Sequence, residues 1–197
     1  MAIKRKEFYQ GYRRFFRPTL SQSEVDGYEA MFDYWDSSGL TDLRWLAYAI
    51  ATAYHETGEL MEPVREGFCD TDACSIRAVT RLFDDGIIGV NYSLPDPETG
   101  KSYFGRGLVQ ITFPDNYKRL GDEIGKDLYN NPDLVLDLKT SVEILFKGME
   151  KGLFTGLSFA DFFNSSTDWT HARKIINGMD KANLIADYAQ DFFVCLQ

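Results

Sequence analysis

Two glutamates, Glu56 and Glu66, bracket a helix end in the stretch "AYHETGELMEPVREGF". Glu56 follows a run of almost wholly apolar residues, so its carboxyl is expected to be partly desolvated, an environment that makes a carboxyl hold its proton and serve as an acid. Glu66 lies beyond Pro63, between Arg65 and Gly67, in a polar setting where a carboxylate stays ionised and can serve as a base. Ten residues of unbroken helix would separate the pair by about 15 Å, too far to act on one bond. A turn at "GELMEPV" can fold Glu66 back, toward the roughly 6.5 to 9.5 Å that leaves room for a water in an inverting glycosidase. Taken alone, two glutamates near a helix end are solvated surface charges far more often than a catalytic dyad.

Other chemistries are poorly supplied. The chain has two histidines, His55 and His171, and "HET" has no second His at the spacing of the HExxH zinc pattern. Neither a GxSxG elbow nor a glycine-rich GK[ST] phosphate loop occurs. Neither metal nor cofactor is therefore expected. The three cysteines, Cys69, Cys74 and Cys195, are odd in number and lack CxxC spacing, which predicts reduced thiols rather than a disulfide framework or a zinc site.

At 197 residues the chain is long enough for one sizeable core, and a single catalytic domain over residues 1–197 is expected. Apolar residues at 44% and aromatics at 15% are too plentiful for a disordered protein. No run of about 18 apolar residues predicts a transmembrane helix, and the N-terminus lacks the apolar core of a secretory signal. The expectation is a protein made in a bacterial cytoplasm. A net charge of −9 disfavours nucleic acid as a partner. Six Lys/Arg against one acid crowd residues 1–17, and such a segment could touch an anionic surface. Phe8, Tyr12, Phe15 and Phe16 keep helical spacing, however, so an amphipathic helix over about 4–17, packed on the core, is the stronger reading.

The remaining elements are mostly helices. "LSQSEVDGYEAMFDYWD" offers Ser21 or Ser23 as N-cap, and "TDLRWLAYAIATAYHETG" begins with Thr41 as a cap and is apolar on nearly every side, as an interior helix is. Gly58 and Pro63 end it. A short helix is predicted at "CSIRAVTRLFDD", a surface loop at "GVNYSLPDPETGKS", and a short bent strand or hairpin arm at "YFGRGLVQITF". "PDNYKRLGDEIG" predicts a helix, "NNPDLVLDLKTSVEILFKGMEKG" a single helix entered at Asn131 and Pro132, and the C-terminal part three more.

The motifs "AYHETG", "REG", "YFGRGLVQITFPDNY" and "ARKIING", in that order over about residues 41–180, resemble those of glycoside hydrolase family 19. That family comprises chitinases and related phage peptidoglycan-degrading enzymes. The compact layout, with "PVREG" soon after "HET" and "PDPETG" before "YFGRG", is more similar to the phage endolysin branch than to plant chitinases.

The resemblance implies a mainly α, lysozyme-like, two-lobed helical fold with a small β-hairpin region and a substrate cleft. It implies Glu56 as general acid, Glu66 as general base, and Thr112 as a residue holding the attacking water. Tyr103, Gln110, Asn116 and Asn177 match positions that line the sugar cleft, with His55 and Arg106 bracing it. Each has a plainer reading: His55 as a structural histidine, Arg106 as a buried salt-bridge partner, Tyr103 as a core aromatic, Asn177 as a helix C-cap. The expected activity is inverting hydrolysis of β-1,4 bonds in peptidoglycan by a monomeric enzyme. Chitin as the polymer, or a catalytically silent glycan-binding module, are the alternatives.

Overall fold

The computed structural model describes residues 2–197. It is mainly helical with one small antiparallel sheet, and it divides into two compact units: the segment up to Glu62 with Leu145–Gln197, and Pro63–Ile144. A single catalytic domain is the sequence expectation; the chain leaves the first unit at Pro63 and returns to it within one helix.

In the first unit, α1 (Arg5–Phe15) buries Phe8 and Tyr12. α2 (Gln22–Ser38) starts at Ser21, which forms a capping box with Glu24, so that two otherwise orphaned backbone N–H groups are satisfied. α3 (Leu43–Glu56) is capped by Asp42, not Thr41: the Asp42 carboxylate accepts from the Arg44 N–H at 3.0 Å. Thr41 sits one residue too early for that bond. Buried on almost every side from Leu46 to Tyr54, α3 packs along the C-terminal α8 (Ala182–Cys195). Beside them the rings of Phe8, Tyr12, Tyr28, Phe32 and Phe192 form one cluster. The basic N-terminal segment is partly neutralised within the fold, since Arg5 bridges Glu29, Asp33 and Asp36 and Arg17 pairs with Glu24 and Glu59.

The second unit begins with β1 (Val64–Arg65), paired antiparallel to β2 (Arg106–Gly107) in the register Val64 to Gly107 and Arg65 to Arg106. α4 (Asp72–Asp84) is capped by Thr71. The segment after it is irregular as far as β2, in agreement with its prolines and glycines. The strand expected over "YFGRGLVQITF" shrinks to two residues, because Arg106 turns back to bridge Ile111. α5 (Pro114–Ile124) carries Pro114 in its first turn. The single helix expected from Asn131 is in fact two elements, a 3-10 turn at Pro132–Leu136 and α6 (Leu138–Glu150). Asp137 breaks them: its backbone is extended, and its carboxylate accepts from the Thr140 N–H at 2.9 Å. α7 (Phe159–Phe162) and a 3-10 turn at His171–Ile175 belong to the first unit.

Cys69 and Cys74 form a disulfide, which corrects the expectation of three reduced thiols; Cys195 alone is free, and it is buried. The cap at Thr71 turns the chain so that the two Cα atoms lie 5.7 Å apart, within disulfide reach. Spacing along the sequence gave no sign of that turn. Among the described residues no helix is long and apolar enough to cross a membrane.

Candidate active site

Glu56 is the last residue of α3. Thr57 holds that helix end in place: its hydroxyl donates to the Ala53 carbonyl at 2.8 Å and accepts from the Met61 N–H at 3.0 Å. The Glu56 carboxylate lies 2.7 Å from an Arg173 guanidinium nitrogen, with the side chains 18% and 4% exposed. The carboxyl expected at the end of the apolar run is thus mostly buried and, in addition, ion-paired. Arg173 stands on the 3-10 turn and donates also to the Asp180 carbonyl at 3.2 Å. Sequence reasoning missed Arg173, although it lies inside "ARKIING"; 117 positions separate it from Glu56, and no periodicity connects them.

His55 is partly buried beside this pair. Burial pushes its imidazole below the ordinary value, as Arg173 does, while Glu56 pulls it up. Its folded-state proton affinity is depressed, so its contribution to stability is present above the unfolded value of about 6.5 and is lost as pH falls through the folded value. Thermal melts are expected to show a loss of stability from pH 7 to pH 5.5 that is shallower in His55→Gln.

Glu66 follows β1 directly, and pairing of that strand fixes its backbone: the Glu66 N–H donates to the Gly105 carbonyl at 2.7 Å. The Glu66 carbonyl accepts from Ser75 Oγ at 2.9 Å. Its carboxylate accepts from two residues, the Gly105 N–H at 2.9 Å on Oε2 and the Tyr92 hydroxyl at 3.3 Å on Oε1. Burial and the Glu66 carboxylate push the Tyr92 phenol up to about 12, so Tyr92 remains a donor at neutral pH. Gly105 permits this close approach. A Cβ there would lie 2.5 Å from Glu66 Oε2 and 2.8 Å from Gln110 Oε1, so both motif side chains crowd onto the one residue that has no side chain.

The other expected site residues divide into two groups. Gln110 joins Glu66 around Gly105, with its amide nitrogen donating to the carbonyls of Val64 and Gly107, each at 2.9 Å. Among the described residues its side-chain oxygen is uncommitted. Thr112 and Asn116 are joined by a bond from Asn116 Nδ2 to the Thr112 carbonyl at 2.7 Å, and both are half-exposed. Asn177 is exposed and closes its own turn, its side chain accepting from the Gly178 N–H at 2.8 Å.

Tyr103 and Arg106 are each 1% exposed, a setting that suits the plainer reading of Tyr103 as a core aromatic and a bracing, salt-bridged place for Arg106. The Tyr103 hydroxyl donates to the Tyr129 carbonyl at 2.7 Å. The Arg106 guanidinium pairs with Asp72 and Asp133, each at 3.0 Å, and lies 3.7 Å above the Phe104 ring. Both side chains build the scaffold under Gly105.

Comparisons with known proteins agree with the motif series. Residues 40–148 match the model of glycoside hydrolase family 19, described as chitinase class I. A basic endochitinase of Vitis vinifera is 34% identical over 111 residues, 54% of this chain and 32% of its own length. Chitinase 3 of Oryza sativa subsp. japonica is 54% identical over 48 residues, 22% of this chain and 15% of its own. The chain thus spans less than a third of the length of either relative. By structure, chitinase C from Streptomyces griseus HUT6037 aligns with a TM-score of 0.64 at 18% identity, covering 99% of this chain and 76% of that one. A likeness of that degree is one of fold.

Proposed function

The chain belongs to glycoside hydrolase family 19, the chitinase class I family, and from that premise we propose that it hydrolyses β-1,4 glycosidic bonds of an N-acetylglucosamine-containing polymer with inversion. Glu56 protonates the departing glycosidic oxygen as the bond to the anomeric carbon breaks. Glu66, with Thr112, takes a proton from the water that attacks that carbon from the opposite face. Neither step needs a metal or an organic cofactor. The acid form of Glu56 gives up its charge beside Arg173, so the Glu56–Arg173 separation is expected to lengthen when that proton is carried.

What carries this reading is the donor set on Glu66: a motif glutamate held on both oxygens, by the backbone N–H of Gly105 and by a hydroxyl. A silent glycan-binding module would not need an acid and a base on separate supports.

Peptidoglycan is the first-choice polymer, on the strength of the compact motif layout, and the enzyme is then an endolysin acting as a monomer. Chitin is the second reading, favoured by the relatives, which are named as chitinases. Purified cell walls followed by turbidity, run beside chitin oligomers followed by product release, separate the two. Rapid clearing of walls with slow oligomer cleavage supports peptidoglycan; the reverse result replaces it with chitin, and inertness toward both overturns the activity itself.

A further inference from the structure

Tyr92 lies in the irregular segment between α4 and β2, outside the four motifs that carry the resemblance. Its hydroxyl holds one oxygen of the Glu66 carboxylate while Gly105 holds the other. The rotamer of Glu66 therefore depends on two residues of that segment, Gly105 directly before β2 and Tyr92 further back. Behind Tyr92 stands Phe113, whose ring meets the Tyr92 ring edge-on with centroids 5.3 Å apart. Phe113 has φ +68°, a region that side chains other than those of Gly, Asn and Asp rarely occupy. Its ring is 42% exposed, so burial alone does not explain why a large aromatic is kept in that conformation. Strained residues gather where a fixed geometry is being held, and the geometry here ends on Glu66.

We propose that Tyr92, braced by Phe113, is a positioning residue that fixes the orientation of the Glu66 carboxylate toward the attacking water. This rests on the glycosidase reading above. Each carboxylate oxygen keeps a further lone pair for the water's proton while its outer donor stays in place. Glu66 is the charged group that faces the Tyr92 hydroxyl; the neighbour from the start of α5 is the apolar ring of Phe113.

Steady-state kinetics on the preferred glycan test the proposal. Tyr92→Phe is expected to lower kcat about tenfold or more with KM within about twofold and the melting temperature nearly unchanged. Phe113→Ala should produce a similar loss, Phe113→Tyr should recover most of it, and Phe113→Ala added to Tyr92→Phe should cost little more, since both act through one bond. Full kcat in Tyr92→Phe, or losses that simply add, would overturn the proposal. A second readout needs no activity: the titration of the Tyr92 ring carbon followed by NMR in the natural protein and in Glu66→Gln. A lower phenol titration in Glu66→Gln supports the bond, and identical titrations overturn it. If the natural protein cleaves no glycan, the proposed function fails while this NMR comparison still decides the link between Tyr92 and Glu66.

Discussion

Glu56→Gln is expected to lower turnover by about 10²- to 10⁴-fold, the range that a positioned general acid contributes, while the protein stays folded. The amide cannot deliver a proton to the glycosidic oxygen. It does keep an oxygen in front of Arg173, so the 2.7 Å contact becomes a neutral-acceptor hydrogen bond rather than a gap. The cost of that exchange is about 1 to 3 kcal/mol, against the roughly 5 to 15 kcal/mol that holds a typical domain together. Turnover and a circular dichroism melt on the same sample separate the two effects. Activity within tenfold of the natural protein would remove Glu56 from the mechanism.

Arg106→Met is expected to have the largest effect on stability, a loss of about 3 kcal/mol or more, read from the midpoint of urea unfolding. Its guanidinium is buried, and besides Asp72 and Asp133 it donates to the Ser102 carbonyl at 3.0 Å and the Tyr117 hydroxyl at 3.2 Å. Methionine fills much of the volume but satisfies none of these acceptors. The two aspartates are about half-exposed and can return to water, so the penalty falls mainly on the buried oxygens. Arg65 shares both aspartates, at 2.8 and 3.3 Å, from a more accessible position, and Arg65→Met should cost clearly less. Because Gly105 and Arg106 are consecutive, loosening Arg106 should also displace the N–H that holds Glu66. Activity is therefore expected to fall at temperatures where the variant remains folded.

The elements that carry Glu56 and Glu66 were legible because their signals are local. An all-apolar run with Gly58 and Pro63 behind it can only be an interior helix that stops. The Ser21 cap, the helix from Pro114 and the irregular stretch before "YFGRG" are likewise written in adjacent residues. What escaped depends on which groups meet across the fold. Asp42 outcompeted Thr41 because its carboxylate reaches the Arg44 N–H, and Asp137 split a pattern that apolar spacing alone reads as continuous.

In the site, the motif series located the two glutamates but not their partners. Arg173, Tyr92 and Gly105 do their work through contacts that no spacing rule anticipates. Tyr103 and Arg106 carry chemistry-bearing side chains inside a motif, yet burial turns them into scaffold. The plainer readings of those two, a core aromatic and a salt-bridged arginine, match their surroundings. Charge and polarity singled out the candidate residues; burial decided which of their side chains remain accessible.

The stereochemistry of the first product tests the central claim most directly. Proton NMR of a β-1,4-linked N-acetylglucosamine oligomer during digestion, recorded before mutarotation, reads the configuration at the newly formed reducing end. If Glu66 activates a water against the face opposite the bond that Glu56 protonates, the α-anomer appears first. First appearance of the β-anomer would mean retention of configuration and would contradict Glu66 as the base that activates a water on the opposite face, which is the central claim.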